Sequence, residues 1–187
     1  VFNSDDDILI EKFVDDKRVS LISFTGSTTV GKKVGVKVAS RFGKSILELG
    51  GNNACIVDSS ADLNNAIEAI LFGAIGTAGQ RCTSLRRLIV HESIVDSLIS
   101  SLKHAYAQIK IGDPLDPETH MGPLIDRAAV QNYKDLMLRI ESLGGEVICG
   151  GNVIKSAGNF VEPTLVRADI NWPILQLENF VPVLFIM

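Results

Sequence analysis

Cysteine, glutamate and glycine supply the chemistry this sequence offers. Cysteines stand at positions 55, 82 and 149. Cys55 in NACIV and Cys149 in VICGG have apolar neighbours and read as small buried side chains. Cys82 does not. It lies in GTAGQRCTS, with Gln80, Arg81, Thr83 and Ser84 beside it and few bulky side chains to fill the space a substrate needs. A neighbouring cation or helix end favours the thiolate, which is the nucleophilic form. No histidine is near in sequence, so no Cys–His pair is read here.

A second candidate is Glu48 in ELGGNN, a carboxylate closing an otherwise apolar run. A buried carboxyl group in such a place suits general-base work. The two glycines after it let backbone approach a ligand closely. The plainer reading is a glutamate ion-paired at a sheet end. A third candidate is GSTTVGKK, residues 26–33, one residue short of the phosphate-cradling pattern G-x-x-x-x-G-K-[ST]. Position 33 is Lys where a magnesium-holding hydroxyl is required, and Asp58 in CIVD is only a weak second magnesium ligand. Gly26 and Ser27 could still offer free N–H groups to a phosphate at a helix start. The plainer reading is a tight turn with an N-cap. The fourth is LENFVPVLF. Glu178 can accept hydrogen bonds from ribose hydroxyls, and Phe180 can pack on a planar ring. A solvated acid beside a core phenylalanine is the alternative.

These candidates need elements to hold them. Residues 1–17 read as a helix or linker. VSLISF (19–24) is a short apolar run that ends at Gly26 and reads as a buried strand. Ser27 caps a helix with Val30, Val34 and Val38 at fourfold spacing, broken at Gly43. SILEL (45–49) and NACIVD (53–58) are strands. A helix follows Asp62, and RRLIVHES (86–93) is another strand. Further helices span 93–109 and 126–143, on either side of the Pro/Gly loop 112–126. EVICGG, FVEPTLV and VPVLFIM are strands, and 171–180 is a loop. Strands alternating with helices in this way predict a parallel α/β sheet.

Composition sets outer bounds. Hydrophobic residues make up 46% of 187 and charged residues 21%, with a net charge of −4 and no basic cluster. That argues against nucleic acid and anionic membranes as partners. No apolar run reaches the roughly 18 residues of a membrane span. The three histidines do not cluster with the cysteines and there is no CxxC pair, so neither a metal site nor a disulfide framework is expected. A reducing compartment is the better expectation. The chain does not begin with Met and ends in the apolar FVPVLFIM, from which a piece of a larger protein is expected.

Taken together, FTGS, LELGGNN, GQRC and LENFVPV resemble the aldehyde dehydrogenase superfamily, in that family's order and close to its spacing. The longer run from LELGGNNACIV through GTAGQRCTSLRRLIVHES to KHAYAQIKIGDPLDP resembles the antiquitin-like branch, whose members oxidise α-aminoadipic semialdehyde. The resemblance covers almost all of residues 19–187. It implies an α/β chain in two parts. Residues 1–48 would be the C-terminal edge of a Rossmann-like NAD-binding domain, and 49–187 a parallel-sheet catalytic domain.

The resemblance also implies roles. Cys82 would attack the aldehyde and carry a thioester, and Glu48 would activate the hydrolytic water. Gly26 and Ser27 match the contacts to the cofactor pyrophosphate, and Val30 lines the cofactor groove. Leu49 matches a backbone contact near the nicotinamide, Glu178 the ribose ligand, and Phe180 an aromatic beside the nicotinamide. Arg81 matches a residue that holds a substrate carboxylate, with Thr83 in the same pocket. The cofactor would be NAD, with NADP as the other option. The full-length form would be a homo-oligomer acting on a small aldehyde in the cytoplasm or mitochondrion, in lysine catabolism. Two departures stand out. The family's oxyanion Asn lies upstream of FTGS, and Asn52, Asn53 and Asn64 do not occupy that place. Val181 stands where the family usually has Gly or Ala. A chain of this length alone is expected not to complete turnover. The alternatives are a CoA-acylating semialdehyde dehydrogenase, against which Glu48 speaks, and a non-catalytic structural relative.

Overall fold

A computed structural model describes residues 6–187, so the first five residues of the expected N-terminal helix or linker lie outside it. The chain divides into two units, Val1–Gly50 and Gly51–Met187.

The first unit is a βαβ crossover with a helix added in front. Helix α1 (Asp7–Asp15) is opened by Asp6, whose carboxylate accepts from the N–H groups of Ile8 and Leu9. Strands β1 (Leu21–Thr25) and β2 (Lys44–Glu48) pair in parallel, with Thr25 opposite Glu48. Helix α2 (Thr28–Ser40) connects them. Ser27 caps it by accepting from Val30 N at 3.3 Å. The helical spacing of Val34 and Val38 turns both into a core shared with Val14 and Ile22. The helix stops on Phe42, in the left-handed region at φ 58°. Gly43, the residue expected to break it, follows one position later. Phe42 is 98% exposed, so no packing accounts for its strained backbone.

The second unit is a five-stranded sheet in the order β3-β4-β7-β6-β5. Its strands are β3 (Asn53–Val57), β4 (Leu85–Val90), β5 (Glu146–Cys149), β6 (Thr164–Arg167) and β7 (Val183–Ile186). Three neighbouring pairs are parallel, and edge strand β5 runs antiparallel to β6. Central β7 is buried along its whole length, as expected for a strand covered on both faces. Helices α3 (Leu63–Ile75), α4 (Val95–Tyr106) and α5 (Arg127–Ser142) supply the covering side chains, among them Ile70, Leu98, Leu102 and Tyr133.

Two strands start later than the sequence suggests: β6 at Thr164 rather than 160, and β7 at Val183 rather than 181. Pro163 and Pro182 explain both delays, because proline has no N–H to give to a ladder. The Pro/Gly stretch 112–126 is irregular, as expected, apart from a single bridge between Ile111 and Met121.

Candidate active site

Three of the segments singled out in the sequence lead into adjacent strands of the second sheet. Gly51-Asn52 precedes β3, Arg81–Ser84 precedes β4, and Glu178–Phe180 lies before β7. Because β3, β4 and β7 are parallel neighbours, these three approaches meet at one edge of the sheet, at the strands' N-terminal ends.

Cys82 sits in the turn before β4 and is exposed. Its carbonyl points inward and accepts from Asn53 Nδ2 at 2.7 Å; the same amide nitrogen also reaches Ser84 O at 2.9 Å. A Cβ on Gly51 would lie 2.5 Å from the Cys82 carbonyl oxygen, so glycine is required for this approach. Ser84 Oγ accepts from Arg81 N at 3.2 Å and tightens the turn.

The backbone entering the turn is strained. Thr77 (φ 56°), Ala78 (φ 52°) and Gly79 (φ 70°) are left-handed in succession. Gln80 then ties the turn to a distant loop: its amide nitrogen donates to Thr77 O and Pro123 O, and its oxygen accepts from Ile125 N at 2.9 Å. Arg81 is exposed, with its guanidinium 5.7 Å from the centre of the Phe72 ring. Thr83 is exposed beside it.

Glu178 accepts from Gly51 N at 3.0 Å. It also faces Arg86 Nη2 at 3.4 Å. Phe180 is 48% exposed, and the Arg86 guanidinium lies 5.6 Å from its ring centre. Val181, which stands where the family usually has Gly or Ala, is a core residue here, with its carbonyl packed against Gly79.

Arg86 joins all of this, and in the sequence it reads only as the first residue of a strand. It is 1% exposed. Its Nη1 donates to Ser84 O at 2.7 Å, its Nη2 to Arg81 O at 2.8 Å, and its Nε to Asn179 O. Burial pulls the guanidinium below its ordinary pKa, opposed by the charges of Glu178 and Cys82. The alternation of the strand turns it inward: Arg86 and Leu88 are buried on one face of β4, with half-buried Arg87 between them. Asn53 pairs with Leu85 and Ala54 with Arg87, so Arg86 is the extra residue of a β-bulge. Arg87 secures the opposite side by donating to Asn52 O at 2.6 Å. A usable signal was present in the sequence: two adjacent cations opening an otherwise apolar strand.

Gly26, Ser27, Val30, Glu48 and Leu49 belong to the first unit. Gly26 N donates to Glu48 O at 3.1 Å, which joins the ends of β1 and β2. Gly26, Ser27 and Val30 are exposed at the start of α2, which carries no acidic residue in its first turn. That arrangement leaves an N-terminus suited to an anion. Gly31 is buried, and a Cβ there would overlap Leu49. Glu48 is exposed, so the burial invoked for a general base is not present within this unit. Asp58, weighed as a magnesium ligand, instead accepts from Ser60 Oγ at 3.1 Å in the turn after β3. No metal-binding cluster of His, Cys, Asp and Glu occurs among the described residues. No helix among them is long and apolar enough to cross a membrane.

Known proteins bear on this site. The family model "Aldehyde dehydrogenase family" matches residues 1–187. Aldehyde dehydrogenase family 7 member A1 of Pisum sativum is 48% identical over 172 residues, covering 92% of this chain and 34% of that protein. Alpha-aminoadipic semialdehyde dehydrogenase of Rattus norvegicus is 49% identical over 172 residues, covering 91% and 32%. The chain therefore spans about a third of the length of these curated relatives. The crystal structure of betaine aldehyde dehydrogenase from Staphylococcus aureus in complex with NAD+ superposes with a TM-score of 0.91 at 31% identity, over 95% of this chain and 36% of that one. The α/β fold is thus the one seen in aldehyde dehydrogenases, and the chain belongs to the aldehyde dehydrogenase family.

Proposed function

We propose that this chain carries the nucleophile and part of the cofactor site of an NAD-dependent dehydrogenase that oxidises a semialdehyde to a carboxylic acid. The substrate in this reading is α-aminoadipic semialdehyde, or an aldehyde that likewise bears a distal carboxylate. The first unit is the C-terminal edge of the cofactor domain and the second the catalytic domain, in a homo-oligomeric protein. The observation that carries the proposal is the meeting of the exposed Cys82 turn with Glu178 and Phe180 at one sheet edge, joined through Gly51 and Arg86.

Bound NAD supplies the hydride acceptor. The Cys82 thiolate adds to the aldehyde carbon and forms a C–S bond. The carbon then gives up its hydrogen with the bonding pair, and the restored carbonyl is a thioester on Cys82. Glu48 takes a proton from water, which adds to that carbonyl; the C–S bond breaks and the thiolate returns. Gly26 and Ser27 would hold the pyrophosphate at the start of α2, with Val30 and Leu49 lining the groove. Glu178 would hold a ribose hydroxyl and Phe180 would offer its ring to the nicotinamide. Arg81, backed by Phe72 and flanked by Thr83, takes the distal carboxylate as a planar fork.

The test is turnover by the whole gene product. NADH should form with α-aminoadipic semialdehyde, and Cys82→Ala should abolish it while Cys55→Ala and Cys149→Ala retain it. Turnover that survives Cys82→Ala would sink the reading.

A further inference from the structure

A guanidinium that is 1% exposed needs acceptors for its donors, and Arg86 finds them in two segments far apart in sequence. On one side are the carbonyls of Arg81 and Ser84, which bracket Cys82. On the other are the carbonyl of Asn179, the carboxylate of Glu178 and the ring of Phe180. Arg86 and Leu88 are the buried pair on one face of β4, so the alternation of the strand turns the guanidinium inward. We propose that Arg86 is a positioning residue: it fixes the Cys82 turn against the Glu178–Phe180 segment, so that nucleophile and cofactor contacts are held in one arrangement.

The proposal rests on the functional reading above for the identity of the nucleophile. It is specific to a fork. Five N–H donors in one plane match acceptors on both segments at once, which one ammonium cannot do. Its charge lies beside the ring of Phe180 and the carboxylate of Glu178, so those side chains are held by the same group that orders the turn.

The test uses the chain as it stands, exposed to iodoacetamide, with the labelling rate of each cysteine followed by peptide mass spectrometry. Cys149 is half-buried on a different strand and reports any general loosening of the fold. In Arg86→Lys, which keeps the charge, Cys82 should label severalfold faster, because its thiol is already exposed and a turn released from the guanidinium opens more often to the reagent. Cys149 should keep its rate. Arg86→Met should show the larger effect at Cys82; should it fail to fold, the Lys variant alone decides. A rise at Cys82 with Cys149 unchanged supports the proposal. Any other pattern overturns it, including a rise at both cysteines, which would make Arg86 a residue of the fold alone. Labelling needs neither aldehyde nor NAD. Failure of turnover in the unmodified protein would therefore remove the dehydrogenase reading without touching this result.

Discussion

At the scale of single residues, buried polar groups divide into those the site uses and those the fold uses. Arg86 belongs to the first class and Tyr133 to the second. Tyr133 is fully buried on α5, and its hydroxyl meets Thr164 Oγ1 at 2.7 Å and Glu162 O at 2.9 Å. Thr164 Oγ1 in turn accepts from Gly151 N at 2.9 Å, which ties the turn after β5 to β6. Burial pushes the Tyr133 hydroxyl from 10.0 up to about 12. The folded protein therefore keeps a proton that the unfolded chain loses. The stability this contributes is complete below pH 10 and is lost as pH rises toward 12. Tyr106 is pushed the same way by burial. Tyr133→Phe should cost about 1 kcal/mol at neutral pH and make the decline above pH 10 shallower. Urea midpoints measured across that range check both expectations, and an unchanged alkaline slope would contradict the assignment.

Cys82 was legible at this scale because its flanks are polar where those of Cys55 and Cys149 are apolar. Arg86 showed only as one of two adjacent cations opening β4, because the carbonyls it meets are brought together by the pairing of β4 with β7.

At the scale of elements, most helices and strands follow from periodicity and caps, and two of the misses share one cause. Prolines at 163 and 182 leave apolar residues without ladder bonds, so β6 and β7 are shorter than their hydrophobic runs. The antiparallel direction of β5 is also hidden, since Glu146–Cys149 carries no mark of which way it will run. The left-handed turn before Cys82 is the most strained backbone in the second unit outside glycine. Its Gly79 has φ 70°, and a Cβ there would come within 2.5 Å of Val181 O. Gly79→Ala should therefore destabilise by about 1–3 kcal/mol for the backbone alone, with an added cost for displacing Val181 and Pro182. Calorimetry should show a thermal midpoint lower by several degrees. A midpoint equal to that of the unmodified protein would mean the turn relaxes freely.

At the scale of the whole molecule, the two units differ in how much core each can build. Val1–Gly50 buries a small cluster around Val14, Ile22, Val34 and Val38, whereas Gly51–Met187 encloses a continuous core between sheet and helices. The division falls in the Gly50-Gly51 pair, within the segment whose glycines stand out in the sequence. The order of the four motifs along the chain was legible. That three of them lead into neighbouring parallel strands was not, because strand order is set by crossovers rather than by local sequence.

The proposed function requires Cys82 to form a covalent bond to an aldehyde carbon. It is tested most directly in the Glu48→Gln variant of the whole gene product, incubated with α-aminoadipic semialdehyde and NAD, quenched in acid and mapped by peptide mass. An acyl group should accumulate on the Cys82 peptide alone, with one NADH formed per adduct. NADH formation with no adduct on Cys82, or an adduct on Cys55 or Cys149 instead, would contradict it.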